Sequence, residues 1–466
     1  MKSNKRKLIL FLVIIGLIIG CASMSSHKTQ YYGLDEKLAN RDFAGAISQI
    51  ENAKDKYYKS KDRVQYYLDL GMLYHYNREF EKSNELLTKA EYAIEELYTK
   101  SISKAAASLL VNDNMLDYFG EDYEDIYLNV FKALNYLEMN QFDDAFVEIR
   151  RINIKLTKLE DKYSKLADSF NLSPKKKKKF KAGKSNFHNS ALGRCLSMLL
   201  YRTEGKLDDA EIDKKQIEEA WKLQSHLYNF PMPKFDDYLK NNGKAKIDVL
   251  GFIGKSPDKK AKTLYIHTEK DMLIIANTKE NPRGKQNLKE MDIINWPGIK
   301  EGYHFKFQLP YMVKRSSKVR KIKVIVDGKS EKELQLLESM EDVALETYKI
   351  KEPIIYLKTI TRAVLKGLAA AKGKEKMTAK IDNPILGFAA RMATDLAVDA
   401  TENADLRISR FFPAKALIGE VEVQPGVHHL KIEYYSANGT LLFTDDCGEK
   451  EFSANKLNLI ESFYLN

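Results

Sequence analysis

Cys21, in the stretch IIGCAS, is the residue whose surroundings most clearly indicate a chemical modification. A thiol after a small residue, at the end of a short apolar run, is what bacterial lipoprotein processing acylates. The run Leu8–Gly20 would rise about 20 Å as a helix, whereas a bilayer core is about 30 Å thick. With basic residues before it, the run is typical of a secretory signal. Residues 1–20 are therefore predicted to be a lipoprotein signal peptide, and the alternative is an ordinary signal peptide that happens to contain a cysteine.

Acylation of Cys21 would hold the chain at a membrane surface without a spanning helix, because two or more acyl chains form a durable anchor. Residue 22 is alanine rather than the aspartate that usually retains such proteins in the inner membrane of enterobacteria. The predicted location is therefore the outer membrane, facing the periplasm. Residues 21–31 are predicted to be a lipidated tether that keeps the folded part close to the bilayer.

The composition restricts the classes of partner. The chain has 466 residues and a formal net charge of +11, to which the basic residues of the signal contribute. This mild excess in a secreted protein does not indicate a nucleic-acid binder. Cys195 and Cys447 are predicted to be isolated, mostly buried thiols, and the alternative is a disulfide between them.

Motifs for catalysis or cofactor binding are incomplete. Three Gly-Lys-Ser tripeptides, at 183–185, 254–256 and 328–330, lack the preceding glycine that a phosphate loop requires, so they are predicted to be surface turns. His428 and His429 would point to opposite faces of a strand, and no zinc motif occurs in the sequence. We therefore predict no catalytic, cofactor or metal residues and no enzymatic activity; a hydrolase built from distant residues is the remaining alternative.

Acidic, amide and aromatic residues cluster between positions 112 and 125. One interpretation is a solvated acidic loop or helix start. The other is a partner-binding surface, because amide and tyrosine side chains make adaptable interface contacts. The candidate partner-binding residues are Asn112, Asp113, Asn114, Tyr118 and Tyr123.

Residues 32–240 show helical periodicity with a repeated turn signature, RDFAGA, REFEKS, NQFDDA and GKLDDA. In each, an apolar residue is followed three positions later by a small one, as at the start of the second helix of a tetratricopeptide (TPR) repeat. The sequence predicts an irregular TPR-like α-solenoid, and the alternative is a non-repeat helical bundle.

The stretch around SLLVNDN, with Tyr118, Gly120 and Glu124, and the stretch TENADLRISRFFPAKALIGEVEVQPGVHHLKI at 401–432 resemble a family of bacterial lipoproteins. Members of that family have a degenerate TPR region followed by a C-terminal β-containing domain. The resemblance implies a location in the cell envelope and no particular chemistry.

After residue 240 the pattern changes to alternating segments separated by turn sequences such as QPGV and ANGT. Residues 245–466 are predicted to be a β-sandwich-like domain with a helical insertion at about 334–402. The predicted class is thus α+β multidomain.

These observations predict a lipid-anchored envelope protein whose solenoid presents a concave surface to an unidentified envelope protein, as a protein–protein interaction scaffold. The alternative function is binding or assembly of an envelope polymer, peptidoglycan or polysaccharide, through the C-terminal β domain.

Overall fold

The computed structural model describes residues 28–173, 178–235, 237–240, 242–280, 286–378 and 403–466. Residues 1–27, which contain Cys21, lie outside these ranges, as does the part of the predicted helical insertion at 379–402. The described chain has helices in its N-terminal half, followed by three β-sheets. The predicted α+β class is therefore confirmed.

The N-terminal helices pair into four consecutive hairpins. The paired helices are α1 (Leu34–Ala39) with α2 (Phe43–Tyr57), α3 (Arg63–Tyr76) with α4 (Phe80–Ser103), α5 (Asp122–Glu138) with α6 (Phe142–Asn171), and α7 (Ala191–Thr203) with α8 (Leu207–Leu223). Short helical turns occur at Thr29–Tyr31, Ser60–Asp62, Ala105–Ser108 and Asp113–Met115.

The repeated turn signature forms the same backbone turn in all four hairpins. The second residue before each apolar residue of the signature has a positive φ: Arg41 (57°), Arg78 (60°), Asn140 (58°) and Gly205 (73°). In each turn, the residue after this one donates its backbone N–H to the carbonyl of the residue five positions earlier, at 2.8–2.9 Å. In the second hairpin, for example, Glu79 donates to Tyr74. This is the Schellman arrangement that ends a helix, so each signature both stops one helix and starts the next.

The small residues of the signatures allow close helix packing. Ala46, Ser83, Ala145 and Ala210 have no exposed surface. Gly71 of α3 serves the same purpose, since a Cβ at that position would come within 2.7 Å of the Leu87 side chain on α4. The sequence-based prediction that small residues mark helix contacts is confirmed at these positions.

Twelve described strands form three four-stranded sheets. The first sheet has the order β12-β1-β9-β8, the second β11-β10-β6-β7, and the third β4-β3-β2-β5. The strands are β1 (Ala245–Ile253), β2 (Asp258–Glu269), β3 (Met272–Glu280), β4 (Gln286–Asn295), β5 (His304–Val313), β6 (Val319–Val326), β7 (Lys329–Glu333), β8 (Gln335–Glu338), β9 (Lys415–Val423), β10 (Gly426–Ser436), β11 (Leu441–Phe452) and β12 (Asn458–Tyr464).

Within the first sheet, β1 pairs in parallel with β12 and antiparallel with β9. Side chains of the first and second sheets pack into one apolar cluster, which includes Val249 of β1, Val324 of β6 and Ile432 of β10. The third sheet has a separate cluster with the long helix α9 (Met340–Thr378).

The predicted helical insertion begins later than expected. Residues Gln335–Glu338 form strand β8, which pairs with β9, and α9 starts only at Met340. Leu336 packs against one apolar cluster and Leu337 is buried in another, as expected for a strand, whose successive side chains point to opposite faces. Residues 334–339 were therefore wrongly included in the insertion.

The largest apolar cluster of the described residues joins the helical half to the first sheet. It contains residues from all four hairpins together with Phe252 of β1, Ile418 of β9 and Phe463 of β12. The His75 Nε2 of α3 lies 2.7 Å from the Glu461 carboxylate of β12 inside this contact. The predicted regions 32–240 and 245–466 therefore share one core.

Candidate functional site

The five residues predicted to bind a partner are largely enclosed by the chain itself. Asn112, Tyr118 and Tyr123 are buried, and Asp113 and Asn114 are half-buried. Tyr123 is inaccessible because it belongs to the apolar face of α5. The prediction of a partner surface at these residues stays a prediction, and the burial of Tyr118 and Tyr123 does not favour direct contact through their rings.

Glu124 fixes the start of α5 and the segment before it. Its carboxylate accepts the N–H of Glu121 at 2.7 Å, the hydroxyl of Tyr118 at 2.8 Å and the N–H of Ser409 at 2.5 Å. The first of these bonds is half of a capping box. Burial, together with the nearby charge of Glu121, raises the pKa of Glu124 to about 8.

Arg407 binds the same segment from the C-terminal half. Its guanidinium holds Asp405 through two N–H donors at 2.9 and 2.7 Å and donates to Asp62 at 2.9 Å. It also donates to the carbonyls of Asp113 and Leu116 at 2.8 and 3.0 Å. Although burial opposes it, the guanidinium holds the pKa of Asp405 well below its usual range. The two stretches that carry the family resemblance are thus in direct contact.

The irregular segment 404–414 lies against the helical hairpins and fills the space between them and the first sheet. Ile408, Phe411 and Phe412 are buried in the shared core. The Phe412 ring centroid lies 6.0 Å from that of Tyr123 and 5.8 Å from that of Phe131.

Backbone groups of this segment also bind to the helices. Tyr76 of α3 donates its hydroxyl to the Phe411 carbonyl at 2.8 Å, and Gln65 donates to the Ile408 carbonyl at 3.1 Å. The helices here bind the chain's own extended segment, so this part of their surface is not open to a partner. The hypothesis of a concave partner-binding surface stays a prediction.

A cavity of about 300 Å³ opens beside the segment 109–121. Its walls come from α4, from this segment, from α6, from α9 and from the start of the third sheet. The apolar lining includes Leu97, Met115, Phe119, Leu166, Phe170 and Ile355. Of the predicted residues, Asp113 and Tyr118 line the cavity, whereas Asn112, Asn114 and Tyr123 do not.

The charged groups of the cavity are mostly paired with one another. Glu121 lies between the ammonium groups of Lys351, at 2.5 Å, and Lys259. Asp113 pairs with Lys358 at 2.5 Å. Although burial opposes it, the charge of Lys358 lowers the pKa of Asp113. These ion pairs hold the charged side chains of the cavity in place. The residues named here do not form a nucleophile with an adjacent base.

No family model, no curated protein and no solved structure matches this chain. Among the described residues, no helix is long and apolar enough to cross a bilayer. No group of three or more His, Cys, Asp or Glu side chains in this part of the chain is placed to hold a metal ion. Cys195 and Cys447 are free thiols, as predicted.

Sequence reasoning missed Lys259, Lys351 and Lys358 of the cavity. Lys351 and Lys358 are seven residues apart on α9, so they share one face of that helix. This spacing is the feature of the sequence from which the two lysines could have been identified as neighbours. Lys259 carried none, because its role depends on contacts with Glu121 and the Arg407 carbonyl, which are distant in sequence.

The tripeptide at 254–256 was wrongly predicted to be a surface turn. Lys255 and Ser256 are buried, and the N–H of Ser256 donates to the Phe412 carbonyl at 2.7 Å. The residues after β1 therefore pack beneath the segment 404–414.

Proposed function

We propose that this chain is a lipid-anchored protein of the cell envelope that binds another envelope protein and catalyses no reaction. Cys21 would carry the lipid and hold the folded part at the outer membrane, facing the periplasm. The anchor raises the local concentration of the bound partner near the bilayer. We interpret the four hairpins as a TPR-like solenoid and the first two sheets as a sandwich-like pair.

The observation that carries the binding proposal is the apolar cavity beside the segment 109–121. Pockets of this size take a few apolar groups and orient them by a small number of polar contacts. Met115 lines the cavity and is 65% exposed, so it offers an apolar side chain to a partner at this position. Because residues 404–414 cover the hairpins where Gln65 and Tyr76 bind them, we place the proposed contact at the cavity rather than along a groove.

The proposed occupant is an apolar segment of the partner flanked by an acidic residue. Lys104 lines the cavity, is exposed and has no carboxylate within ion-pair distance among the described residues. An acidic group beside the apolar anchor would complement this lysine. Apolar anchors in fully desolvated pockets supply most of the binding energy in protein interfaces.

The test is photocrosslinking in intact cells. A photoreactive amino acid at Met115 is expected to capture one discrete envelope protein, whereas the same residue at Leu223, 78% exposed on α8, should not. Ile355→Trp would fill the cavity and is expected to abolish the crosslink. Ile212→Trp on the exposed face of α8 is the matched control and should leave it intact.

The same cells test the anchor. Labelled palmitate should enter the wild-type chain and be absent from Cys21→Ala, which should leave the membrane fraction. Crosslinks that are equal at both positions, or that persist in Ile355→Trp, would contradict the cavity as the binding site. An unlabelled wild-type chain would contradict the anchor.

A further inference from the structure

Four basic side chains gather where the described chain begins, away from the cavity. Lys28, Lys255, Arg315 and Arg410 form this group, which we name the basic cluster. Lys28 precedes the first helical turn, Lys255 follows β1, Arg315 lies between β5 and β6, and Arg410 belongs to the segment 404–414.

Arg315 is held rigidly with one donor group left unused. Its Nε donates to the Ser256 carbonyl and its Nη2 to the Arg410 carbonyl, each at 2.6 Å. Its Nη1 is buried and has no hydrogen-bond partner among the described residues. The nearest carboxylate, Asp35, is 4.0 Å away. A buried guanidinium N–H without an acceptor carries a substantial free-energy penalty.

The carboxylates of the region do not balance the basic cluster. Asp35 pairs with Lys255 at 3.0 Å, and Asp258 pairs with Lys28 at 2.6 Å. Arg410 comes only within 3.9 Å of Asp258, and its guanidinium lies over the Tyr31 ring at 5.3 Å. Among the described residues, two carboxylates therefore lie within 4.0 Å of the four cations, three of which are largely buried.

The electrostatics agree with this imbalance. Burial, followed by the charge of Arg410, lowers the pKa of Arg315 to about 10. Burial also lowers the pKa of Lys255, and both arginines contribute to that decrease. An anion with two or more oxygens would satisfy the free N–H and neutralise the excess charge.

We propose that the basic cluster binds a phosphate group. A planar guanidinium presents paired N–H donors that match two phosphate oxygens, and lysine adds a point charge. Inorganic phosphate carries a charge of about −1.5 to −2 near pH 7, and the phosphodiester of a lipid head group carries about −1, so either would offset at least half of the excess of cations over carboxylates. Solvent reaches this region at Asp35, which pairs with Lys255 and whose side chain is 62% exposed.

The phosphate can come from a lipid head group or from free phosphate, and the position of the cluster favours the lipid. Lys28 is seven residues after Cys21, a span of at most about 25 Å. A chain anchored at Cys21 would thus hold the basic cluster within reach of the head groups. This choice of source rests on the proposed lipid anchor, whereas the phosphate site itself does not.

The test is calorimetric titration of the detergent-solubilised full chain with two probes at constant ionic strength. One probe is inorganic phosphate, and the other is glycerophosphoglycerol, the deacylated head group of phosphatidylglycerol. Saturable binding of at least one probe is expected. Equal or tighter binding of glycerophosphoglycerol indicates a lipid source, and binding of inorganic phosphate alone indicates free phosphate.

Two variants with opposite expected effects separate the site from general charge. Lys255→Gln should weaken binding about tenfold, because it removes a charged donor. Asp35→Asn should tighten binding about fivefold, because it removes a competing carboxylate. A loss of structure cannot produce that gain. Lys314→Gln, which affects a lysine paired with Asp342 at 2.6 Å outside the cluster, is the matched control and should bind like the wild type.

The proposal is overturned if the wild type binds neither probe, or if all three variants bind with the wild-type affinity. These results do not depend on the proposed partner or anchor. A phosphate-binding chain that takes up no palmitate would disprove the anchor and leave the phosphate site standing.

Discussion

Glu124 and Arg407 each join parts of the chain that are far apart in sequence. Glu124 accepts from Ser409, and Arg407 donates to the carbonyls of Asp113 and Leu116. An arginine can serve several acceptors at once because its guanidinium is planar and always charged. The wall of the cavity beside residues 109–121 is therefore fixed by contacts from the C-terminal half.

Glu124 should make the stability of the protein depend on pH. Its pKa is raised to about 8 in the folded chain, above the ordinary glutamate value, so the folded state holds this proton more tightly. The stabilisation is fully present at low pH and is lost as pH rises through about 8. Glu124→Gln cannot ionise, so its melting temperature relative to wild type should increase from pH 5 to pH 9. Through this titration, the free energy of unfolding of the wild type should fall by at most about 1.4 kcal/mol per pH unit.

A glutamate with the opposite shift provides the control. The pKa of Glu422 is lowered, chiefly by hydrogen bonding to Asn242, so in the folded chain it ionises at a lower pH than an ordinary glutamate does. Glu422→Gln should therefore differ from wild type by a nearly constant amount above about pH 6, where this glutamate is ionised in both the folded and the unfolded chain. A constant difference for Glu124→Gln as well would show that Glu124 is ionised throughout.

The hairpin turns offer a matched pair of substitutions at the scale of the element. Arg41 and Arg78 have the same left-handed backbone conformation, which costs a residue with a Cβ about 1–2 kcal/mol. Arg78 is largely exposed and makes only a 3.9 Å pair with Glu138. Arg41 donates to the Phe463 carbonyl at 2.9 Å and stacks on that ring at 4.6 Å.

Glycine should therefore have opposite effects in the two turns. Arg78→Gly should raise the free energy of unfolding by up to about 1 kcal/mol, since glycine relieves the strain but has more freedom in the unfolded chain. Arg41→Gly should lower it by about 1 kcal/mol or more, because a charged hydrogen bond is lost. Urea titration checks both, and equal changes in the two variants would mean that the Arg41 contacts contribute nothing.

The helical hairpins were predictable from sequence because everything that defines them is local. Each turn signature contains the left-handed residue, the first apolar residue of the next helix and the small residue that packs. The position of segment 404–414 was not predictable in this way. Its contacts join residues separated by about 300 positions, such as Tyr123 with Ser409 and Arg407 with Asp113.

The candidate site was likewise predictable only where its residues are close together in sequence. Asp113 and Tyr118, two of the candidate residues from the sequence, line the cavity, but the lysines opposite come from α9 and β2. Tyr123 is buried, which the sequence analysis did not predict. It shares a helical face with Tyr127 and Phe131, a spacing of four residues that indicates the core.

At the scale of the whole molecule, the helical half and the first sheet share their largest apolar cluster. Phe252 of β1 lies 5.3 Å from Phe131 of α5, ring centroid to ring centroid, and Phe412 packs on the same ring. Neither half buries this surface alone. The two predicted regions should therefore unfold together, although the sequence divides them at a change of pattern near residue 240.

The two tryptophans allow this coupling to be measured. Trp221 on α8 packs against the shared cluster, whereas Trp296 belongs to the separate cluster of the third sheet. Phe252→Ala should lower the free energy of unfolding by about 3–5 kcal/mol. In a Trp296→Phe background, Trp221 fluorescence should report this loss as a lower urea midpoint, although the substitution is on a strand.

The same substitution in a Trp221→Phe background shows whether the third sheet follows. A Trp221 midpoint that does not move would mean that the hairpins fold as an independent domain. A lower urea midpoint at Trp221 with an unchanged midpoint at Trp296 would mean that the third sheet and α9 unfold separately from the hairpins. In that case the cavity, whose walls come from both sides of this boundary, would open and close with the motion between them.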